Sequence, residues 1–546
     1  MKSLLPSRYW IFCGCILAFM VGALLWKHGG VWPWVCVVAG ALSLVGLWDL
    51  VQTRHTLRRN FPVAGNGRYL MEALRPMLRQ YIVEGDNDEL PFSHNQRAIV
   101  YQRAKQQQET RAFGSELAFY GDKYEWINHS MQPSKIESHD FRVSVGGAQC
   151  AKPYSASVFN ISAMSFGSLS PNAILALNKG ARLGNFYHDT GEGSLSKYHR
   201  ENGGDIVWEL GTGYFGACER AGVFSAEKFR ERAQLDQVKM IEIKLSQGAK
   251  PGHGGMLPGA KVSAEIAETR GVPEGEDCIS PARHSEFDSP EGLLRFVARL
   301  RELSGGKPTG FKLAIGHPWE WFGVAKAMLS TGIRPDFIVV DGAEGGTGAA
   351  PMEFIDHVGV PMREGLMLVH NTLVGLNLRQ EIRIGAAGKV VTGFDIARTM
   401  ALGADWCNAA RGFMFSLGCI QARICHTDRC PTGVTTQDPS RWRALDVTDK
   451  GERVKNFHEH TLRALQEMIA AAGLTHPGEL GPEHILCRVS GNEIRSLGSL
   501  YSFVKPGELL GGLPHHAVFQ QFWPGARTDS FSPPRNIADL RWSKLV

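Results

Sequence analysis

The chain opens with two long apolar segments separated by a short polar turn. Tyr9 to Trp26 forms the first segment and Val31 to Val51 the second, with Lys27-His28-Gly29-Gly30 between them. Each is long enough to cross a bilayer as a helix, so the pattern predicts a transmembrane hairpin over residues 1–52. A cleaved signal peptide is the alternative for the first segment. That segment lacks a small-x-small cleavage site, however, and a second apolar segment follows at once.

Basic residues flank this hairpin unevenly. The turn holds a single lysine, whereas five basic residues lie outside the two segments: Lys2, Arg8, Arg54, Arg58 and Arg59. Because basic flanks stay on the cytoplasmic side, both ends of the hairpin and the rest of the chain are predicted to be cytoplasmic, at the inner membrane. Residues 53–150 are rich in Arg and Gln, with short amphipathic patterns such as Tyr69–Val83. We interpret their charge as a solvated face, a share of which lies against anionic membrane lipid.

From Ser155 onward, short apolar runs alternate with helix-like segments. The predicted strands are Val158–Phe166, Asp205–Leu210, Val238–Leu245, Thr309–Ile315, Phe337–Asp341, Ile382–Ala386 and Ala404–Ala409. The predicted helices are Pro290–Leu303, Trp319–Ser330, Leu373–Gln380 and Phe394–Leu402. This alternation indicates a parallel α/β fold. A (β/α)8 TIM barrel is favoured over a doubly wound sheet, because no GxGxxG turn follows the first strand and glycine-rich loops follow many strands instead.

The composition of the chain limits the classes of protein to which it can belong. The chain has 546 residues, of which 43% are apolar and 21% charged, which are values of a globular protein. A net charge of +5 implies no nucleic-acid surface, and the eleven unevenly placed cysteines do not form a disulfide framework.

We divide the chain into the hairpin (1–52), a basic helical linker (53–150), the barrel with its cysteine segment (151–437) and a C-terminal extension packing on the barrel (438–546). A helix is predicted at Arg453–Ala472 within this extension.

Three cysteines lie close together near the end of the barrel region. Cys419, Cys425 and Cys430 follow a C-x5-C-x4-C spacing, and Pro431 comes directly after the last. Closely spaced thiolates followed by proline are typical of an iron–sulfur site, and three ligands suit a cuboidal cluster that lacks one iron. Zinc sites usually show paired CxxC units, which are absent here. Three buried structural cysteines are the alternative.

The loops after the strands hold the other chemistry. The run from Lys244 to Gly252, KLSQGAKPG, places two lysines and a glutamine among glycines after a strand. Lysines at barrel strand ends bind anions or stabilise negative charge on a reduced cofactor, although exposed surface lysines have the same spacing. Lys312 ends another strand and could instead be an ordinary salt-bridge partner. Asp341–Ala349 is a glycine-rich loop that suits an anion. We expect a phosphate at the last two strands, at Gly388-Lys389 and Arg411-Gly412.

Together these motifs resemble the flavin-binding synthase domain of the glutamate synthase large subunit. The wording GC-x5-C-H-x3-CP-x-GV-x-TQ, the AMSFGS segment at Ala163–Ser168 and the QGAKPG run are similar to that family's, and the resemblance covers about half the chain, from Phe159 to Gln437. It implies an FMN-binding barrel with a 3Fe-4S cluster on Cys419, Cys425 and Cys430.

By the same resemblance, individual residues acquire roles. Catalytic roles are expected for Glu192, Lys244, Lys250 and Lys312. Lys244, Gln247 and Arg270 are expected to hold the dicarboxylate 2-oxoglutarate. FMN contacts are expected from Ala163, Met164, Ser165, Glu209, Lys312, Gly345, Gly346, Thr347, Gly388, Lys389 and Gly412. This sequence departs from the family at four positions: Asp189 stands for Asn, Glu209 for Gln, His253 for Glu and Met256 for Gln.

The expected activity is reductive amination of 2-oxoglutarate to glutamate by an oxidoreductase acting on CH-NH2 donors. No glutaminase domain, β-helix or nicotinamide site is expected in this chain, so ammonia and electrons would come from a separate amidotransferase subunit and a separate electron donor protein or reductase. One alternative is an N-alkylglutamate synthase or the amination of another 2-oxoacid, which His253 and Met256 motivate. A second is a membrane-anchored flavin electron-transfer protein, which the hairpin motivates.

Overall fold

A computed structural model describes residues 6–534 apart from 89 and 108. Lys2 and the last residues of the C-terminal extension, 535–546, lie outside the described residues. The chain divides into two compact units, Met1–Asn95 and Gln96–Val546.

The first unit is built around two apolar helices, α1 (Trp10–Leu24) and α2 (Trp32–Val51), which pack against each other. Both helices are apolar on all sides, and most of their large side chains are exposed. By length and composition, the stretches Ser7–Leu24 and Trp32–Val51 are each able to cross a membrane. The two helices coincide with the predicted hairpin within two residues at each end.

Two further helices follow α2 in this unit. They are α3 (Thr56–Asn60) and α4 (Ala64–Leu78), and α4 continues into a π-helical turn, Arg79–Val83. Asp49, near the end of α2, is buried and accepts hydrogen bonds from the Val63 amide at 3.0 Å and from Asn66 Nδ2 at 2.5 Å. An acidic side chain near the end of an apolar helix is thus satisfied by the first residues of α4, which fixes where α4 begins.

The second unit contains a closed barrel of eight parallel strands in sequential order. Its strands are β1 (Phe159–Ile161), β2 (His188–Asp189), β3 (Ile206–Leu210), β4 (Val238–Lys244), β5 (Thr309–Leu313), β6 (Phe337–Asp341), β7 (Arg383–Ala387) and β8 (Trp406–Ala409). The TIM-barrel prediction is therefore confirmed. The predicted strands missed β2, which is only two residues long and has no apolar run of its own.

The helices around the barrel begin at clear sequence signals. The α10 helix (Pro290–Leu303) starts with Ser289, whose hydroxyl accepts a hydrogen bond from the Gly292 amide at 3.3 Å, followed by Pro290 at the first helical position. Its apolar face, including Leu293 and Val297, is fully buried. The predicted helix Leu373–Gln380 is wrong in its bounds. The α13 helix runs from Met362 to Gly375 and ends where Asn377 takes a left-handed backbone conformation with φ of +57°.

The remaining helices of this unit complete the layer outside the strands. They are α5 (His94–Ala104), α6 (Pro171–Gly184), α7 (Lys197–Arg200), α8 (Ala226–Ala233), α9 (Ala264–Arg270), α11 (Pro318–Thr331), α12 (Met352–His357), α14 (Gly393–Ala401), α15 (Arg411–Ser416), α16 (Pro439–Trp442), α17 (Val447–Ala471), α18 (Leu497–Leu500), α19 (Glu508–Gly511) and α20 (Ala517–Phe522). The long α17 packs along α6, so the segment after the cysteines covers the first βα unit of the barrel. In the described residues, three two-stranded antiparallel sheets and one three-stranded antiparallel sheet lie outside the barrel, the latter formed by Glu125–Ile127, Ile485–Ser490 and Glu493–Ser496.

Candidate active site at the carboxyl end of the barrel

The carboxyl ends of β2 and β4 bring two predicted residues together. Lys244 ends β4, and its ammonium lies 3.2 Å from a carboxylate oxygen of Glu192, which belongs to the loop after β2. The same ammonium donates a hydrogen bond to the Gln247 side-chain oxygen at 3.3 Å. Burial alone would raise the pKa of Glu192, but the positive charges of Lys244 and Arg270 outweigh it and lower that pKa. Glu192 is therefore an ionised carboxylate within a cationic group.

Two glycines shape the space around Glu192. A Cβ atom on Gly211, after β3, would lie 2.7 Å from a Glu192 carboxylate oxygen, and one on Gly255 would collide with the other oxygen. Any side chain at either position would push the carboxylate away from Lys244. Gly211 and Gly255 are thus explained by the close approach of Glu192.

Arg270 lies at the end of α9 with its guanidinium buried beside the loop after β1. One terminal nitrogen, Nη2, donates a hydrogen bond to the Phe166 carbonyl at 3.0 Å and lies 3.5 Å from the Ser165 hydroxyl. Its Nε is buried without a hydrogen-bond partner among the described residues. The guanidinium also lies over the Phe215 ring, 5.3 Å from the ring centroid. A buried guanidinium that has an unpaired donor is a candidate carboxylate-binding group.

Lys250 completes this cationic group, and the His284 side chain lies beside it. Lys250 is buried, and burial lowers the pKa of its ammonium, which the charge of Glu192 partly restores. His284 was not predicted from the sequence, and its side chain is buried against the end of β4. Its Nε2 lies 2.8 Å from the Lys244 carbonyl and its Nδ1 lies 2.8 Å from the Tyr214 hydroxyl. Burial lowers the pKa of His284 to about 4, so it is a neutral residue that positions the lysine backbone.

Below this group, the barrel interior holds a second cluster of charges. The Lys312 ammonium pairs with Glu209 and lies 3.3 Å from Glu242, and all three side chains are buried. Carboxylate oxygens of Asp189, Glu209 and Glu242 lie within 4.8 Å of one another. One cation, Lys312, thus faces three carboxyl groups from β2, β3 and β4. We call these four side chains the carboxyl cluster.

Protons must compensate part of this charge. Burial, and then the charge of Glu209, raises the pKa of Asp189 to about 7. Burial also raises the pKa of Glu242 well above its ordinary value, against the attraction of Lys312. For Lys312, burial is outweighed by Glu209 and Glu242, so the pKa of its ammonium is raised. The lysine stays charged, and the carboxyl groups hold the exchangeable protons.

The loop after β6 packs directly against the loop after β4. The Gly248 amide donates a hydrogen bond to Asp341 Oδ2 at 2.9 Å, and a side chain at Gly248 would collide with the Gly342 carbonyl. The three predicted flavin-contact residues Gly345, Gly346 and Thr347 follow on the same loop. The Thr347 carbonyl accepts a hydrogen bond from Arg411 Nη2 at 2.9 Å, which links this loop to α15.

The predicted phosphate residues lie at the ends of the last two strands. Gly388 and Lys389 follow β7, and Gly412 lies in the first turn of α15 after β8. A side chain at Gly388 would approach Met362, and one at Gly412 would approach Phe457, so packing already accounts for both glycines. Lys389 differs: it adopts φ of +53°, and its ammonium has no hydrogen-bond or salt-bridge partner within the described part of the chain. A strained lysine without a partner at this position suits a phosphate.

At the end of β1, the three predicted cofactor residues form the wall next to β2. Met164 and Ser165 are buried, and Ala163 is half-buried beside them. A Cβ atom on Gly191, in the loop after β2, would lie 2.9 Å from the Ser165 amide nitrogen. The loops after β1 and β2 therefore meet backbone to backbone at the mouth of the barrel.

The three cysteines after α15 line one small pocket. Cys419, Cys425 and Cys430 share it with Pro431 and Thr432, among other residues. Three thiols that line one pocket are a candidate metal centre, because thiolates bind both zinc and the irons of iron–sulfur clusters.

Lys261 links this cysteine segment to the barrel, and the sequence had not marked it. Its ammonium is buried and donates hydrogen bonds to the carbonyls of Cys425 at 3.0 Å and Thr435 at 3.1 Å, with the Ser168 carbonyl at 3.5 Å. Burial lowers the pKa of this ammonium. Arg411 lies nearby, with Nη1 3.9 Å from Cys425 Sγ. Two cations therefore border a pocket lined by thiols.

The structure thus brings most of the predicted residues to one end of the barrel. Glu192, Lys244, Gln247, Lys250 and Arg270 form the cationic group, and Glu209 with Lys312 belongs to the carboxyl cluster. Glu242, His284 and Lys261 were missed. For Glu242 the signal was present, since it lies two residues before Lys244 on the same strand and therefore faces the same side.

Comparison with known proteins gives a consistent picture. A family model described as a conserved region in glutamate synthase matches residues 97–475. The glutamate synthase large subunit-like protein YerD of Bacillus subtilis is 39% identical over 493 residues, covering 83% of this chain and 93% of that protein. An archaeal glutamate synthase [NADPH] of Methanocaldococcus jannaschii is 38% identical over 315 residues, covering 58% of each chain. The glutamate synthase [NADPH] large chain of Bacillus subtilis is 34% identical, and the match covers only 21% of its length.

Proposed function

The chain belongs to the glutamate synthase family of oxidoreductases, and we propose that it carries out the reductive amination of 2-oxoglutarate to glutamate with FMN and an iron–sulfur cluster. The observation that supports this most is the cationic group at the barrel mouth. Lys244, Lys250 and Arg270 converge there around the single carboxylate of Glu192. A site with more positive than negative side chains suits a substrate that carries two carboxylates.

The substrate residues have distinct tasks in this proposal. Lys244 and Arg270 bind the two carboxylates, and Gln247, which accepts a hydrogen bond from Lys244, directs the lysine ammonium. The Arg270 guanidinium suits this role because it offers a planar fork and already has one unpaired donor. Glu192 holds Lys244 before substrate arrives and becomes available to accept or donate a proton when the carboxylate replaces it.

The residues at the barrel mouth fit FMN. Ala163, Met164 and Ser165 would border the ring system, and Lys389, which has no other partner in the described structure, would bind the phosphate with the Gly388 amide. FMN supplies hydride transfer when bound. The balanced reaction is 2-oxoglutarate + NH4+ + 2 e− + 2 H+ → glutamate + H2O. Lys312 and the carboxyl cluster beneath the site hold charge and protons in this scheme.

The cysteine pocket supports an iron–sulfur cluster of the 3Fe-4S type. Cys419, Cys425 and Cys430 would bind it, and the cluster would carry single electrons. Lys261 and Arg411 would offset the negative charge of the thiolates. The electrons would come from a separate donor protein or reductase. The ammonia would come from outside the chain, and a separate amidotransferase subunit is one source of it.

Membrane anchoring is part of this proposal. The apolar helices α1 and α2 have the length and composition of spans, and basic residues lie at the outer ends of the pair. The hairpin would hold the catalytic unit at the cytoplasmic face of the inner membrane.

A second candidate function concerns the amine. Met256 is 46% exposed, and the His253 ring packs against Phe354 at 5.3 Å between ring centroids. Both replace polar residues of the family motif, and an apolar surface near the substrate loop favours an amine with an alkyl group over ammonia. N-alkylglutamate synthesis on the same barrel is therefore the alternative activity.

One experiment tests both activities. The purified protein is supplied with a chemical reductant, 2-oxoglutarate and 15N-ammonium, and glutamate is measured by mass spectrometry. We expect 15N-glutamate, and Lys244→Met should abolish it. A parallel reaction with 15N-methylamine tests the alternative. No amino acid from either amine, with flavin and cluster absorbance intact, would contradict both and favour electron transfer to another partner.

A further inference from the structure

The α4 helix (Ala64–Leu78) and the turn after it, Arg79–Val83, carry an uncovered apolar face. Of the large apolar side chains on this segment, Leu70 is 56% exposed, Met77 is 53%, Tyr81 is 61% and Ile82 is 74%. Only Gly65 is buried in the whole of α4. Large side chains left in water in this number mark a surface that binds something apolar.

Leu70, Met77 and Tyr81 share one side of the helix with two further leucines. Residues 70, 74, 77, 78 and 81 follow the i, i+4, i+7, i+8, i+11 spacing of a single helical face, which in this sequence reads Leu, Leu, Met, Leu and Tyr. Charged residues lie on the opposite side, where Arg68 pairs with Glu72 at 3.1 Å and Arg75 and Arg79 follow. An apolar face opposite an arginine-rich polar face is the pattern of a helix that lies in a membrane interface.

The position of α4 next to the hairpin identifies what covers this face. The buried Asp49 side chain near the end of α2 accepts hydrogen bonds from the Val63 amide and from Asn66. The start of α4 is thereby fixed at the end of an apolar helix of 20 residues. If that helix spans the bilayer, α4 begins at the depth of the lipid headgroups, where its apolar face meets acyl chains and its arginines meet phosphates.

We infer that α4 and the following turn form an interfacial helix, whose apolar face lies among lipid acyl chains on the cytoplasmic side of the membrane. The inference rests on the membrane anchoring proposed above. The arginines favour anionic lipids, because each basic residue near a negatively charged surface adds a favourable interaction.

A photo-crosslinking experiment tests this inference on the full-length protein. The protein is reconstituted in lipid vesicles that contain phosphatidylglycerol, with the photo-reactive residue p-benzoylphenylalanine in place of either Met77 or Glu72. Both positions are exposed, but they lie on opposite faces of the helix. After irradiation, mass spectrometry of the peptide shows whether a lipid or a protein segment has been attached.

We expect lipid adducts at position 77 and none at position 72. Equal lipid adducts at both positions, no lipid adduct at 77, or a cross-link from 77 to another protein segment would overturn the interfacial helix. Extraction of the vesicles with alkaline carbonate separates this failure from that of the anchor. Release of the chain by carbonate would contradict the anchor and the inference together, whereas retention without an adduct at 77 would contradict the inference alone.

Discussion

The Lys244 ammonium lies 3.2 Å from the Glu192 carboxylate, so the residue expected to bind a substrate carboxylate is already occupied by a carboxylate of the protein. The positive charges of Lys244 and Arg270 lower the pKa of Glu192 despite its burial, and the group is therefore ionised at neutral pH. A substrate carboxylate must compete with it for the lysine.

Replacing Glu192 by Gln removes this competitor. We expect the Glu192→Gln variant to bind 2-oxoglutarate about tenfold more tightly, because hydrogen bonds to charged groups are worth roughly 1.5–3 kcal/mol. Turnover should fall, since the carboxylate is also the nearest proton-transfer group. Calorimetric titration measures the affinity, and Glu192→Asp, which keeps the charge, is the control. Weaker binding by the Gln variant would show that Glu192 organises the site rather than competing for it.

Arg270 gives a complementary prediction. Arg270→Leu should weaken 2-oxoglutarate binding by roughly tenfold to a hundredfold, which corresponds to the loss of a hydrogen bond to a charged group. Flavin content should stay unchanged, and Arg270→Lys should recover only part of the affinity, because a lysine lacks the planar fork. Titration with 2-oxoglutarate, alongside the flavin absorbance, measures both properties. Unchanged affinity in the Leu variant would remove Arg270 from the substrate site.

The carboxyl cluster makes stability depend on pH. The pKa of Asp189 is raised from 3.8 to about 7 by burial and by Glu209, so between these values the folded protein holds a proton that the unfolded chain releases. Binding of this proton stabilises the folded protein, and its contribution to the free energy of unfolding is fully present below pH 3.8 and is lost as the pH rises toward 7. Asp189→Asn cannot ionise.

Because an asparagine side chain has no carboxyl group to ionise, the melting temperature of the Asp189→Asn variant should exceed that of the parent protein at pH 8. The difference between the two melting temperatures should shrink toward pH 5. Thermal unfolding followed by circular dichroism at several pH values measures this, with Glu219→Gln, an exposed site, as the control. A difference that is constant with pH would mean that Asp189 does not carry the exchangeable proton.

Lys261 connects the barrel to the cysteine segment through carbonyls of Cys425, Thr435 and Ser168. Lys261→Met removes these donors, and each buried carbonyl left without a partner costs about 1–3 kcal/mol. We expect fewer iron atoms per chain and a lower melting temperature, whereas Lys197→Met, at an exposed position, should change neither. Iron and acid-labile sulfide analysis provides the measurement. Full iron content in the Lys261 variant would show that the segment is positioned by other contacts.

Local patterns in the sequence predicted the elements that are long and apolar. Phe337–Asp341 was predicted without error because five consecutive residues suit a buried strand, and Pro290–Leu303 because its cap and its apolar spacing agree. The β2 strand was not predicted, because His188 and Asp189 carry no such pattern. Its position is fixed by pairing with β1 and β3. The bounds of α13 were predicted wrongly for a similar reason, since no capping side chain marks the start of this helix at Met362.

The site divides in the same way. Residues within one motif, such as Lys244 and Gln247, could be placed next to each other from the sequence because they share a strand end. Lys261 could not, because its acceptors come from three loops that meet only in the folded chain. The pairing of Lys312 with Glu209 also required the structure, since the two residues lie on strands separated by β4.

The proposed activity requires the reduced flavin to pass electrons to 2-oxoglutarate in the presence of ammonium. Anaerobic stopped-flow absorbance tests it most directly: the flavin is reduced, the protein is mixed with 2-oxoglutarate and ammonium, and the return of the oxidised flavin band is followed. We expect rapid reoxidation that requires both reactants, with one glutamate formed per flavin reoxidised. Reoxidation that ignores 2-oxoglutarate, or none at all with flavin and cluster intact, would contradict it.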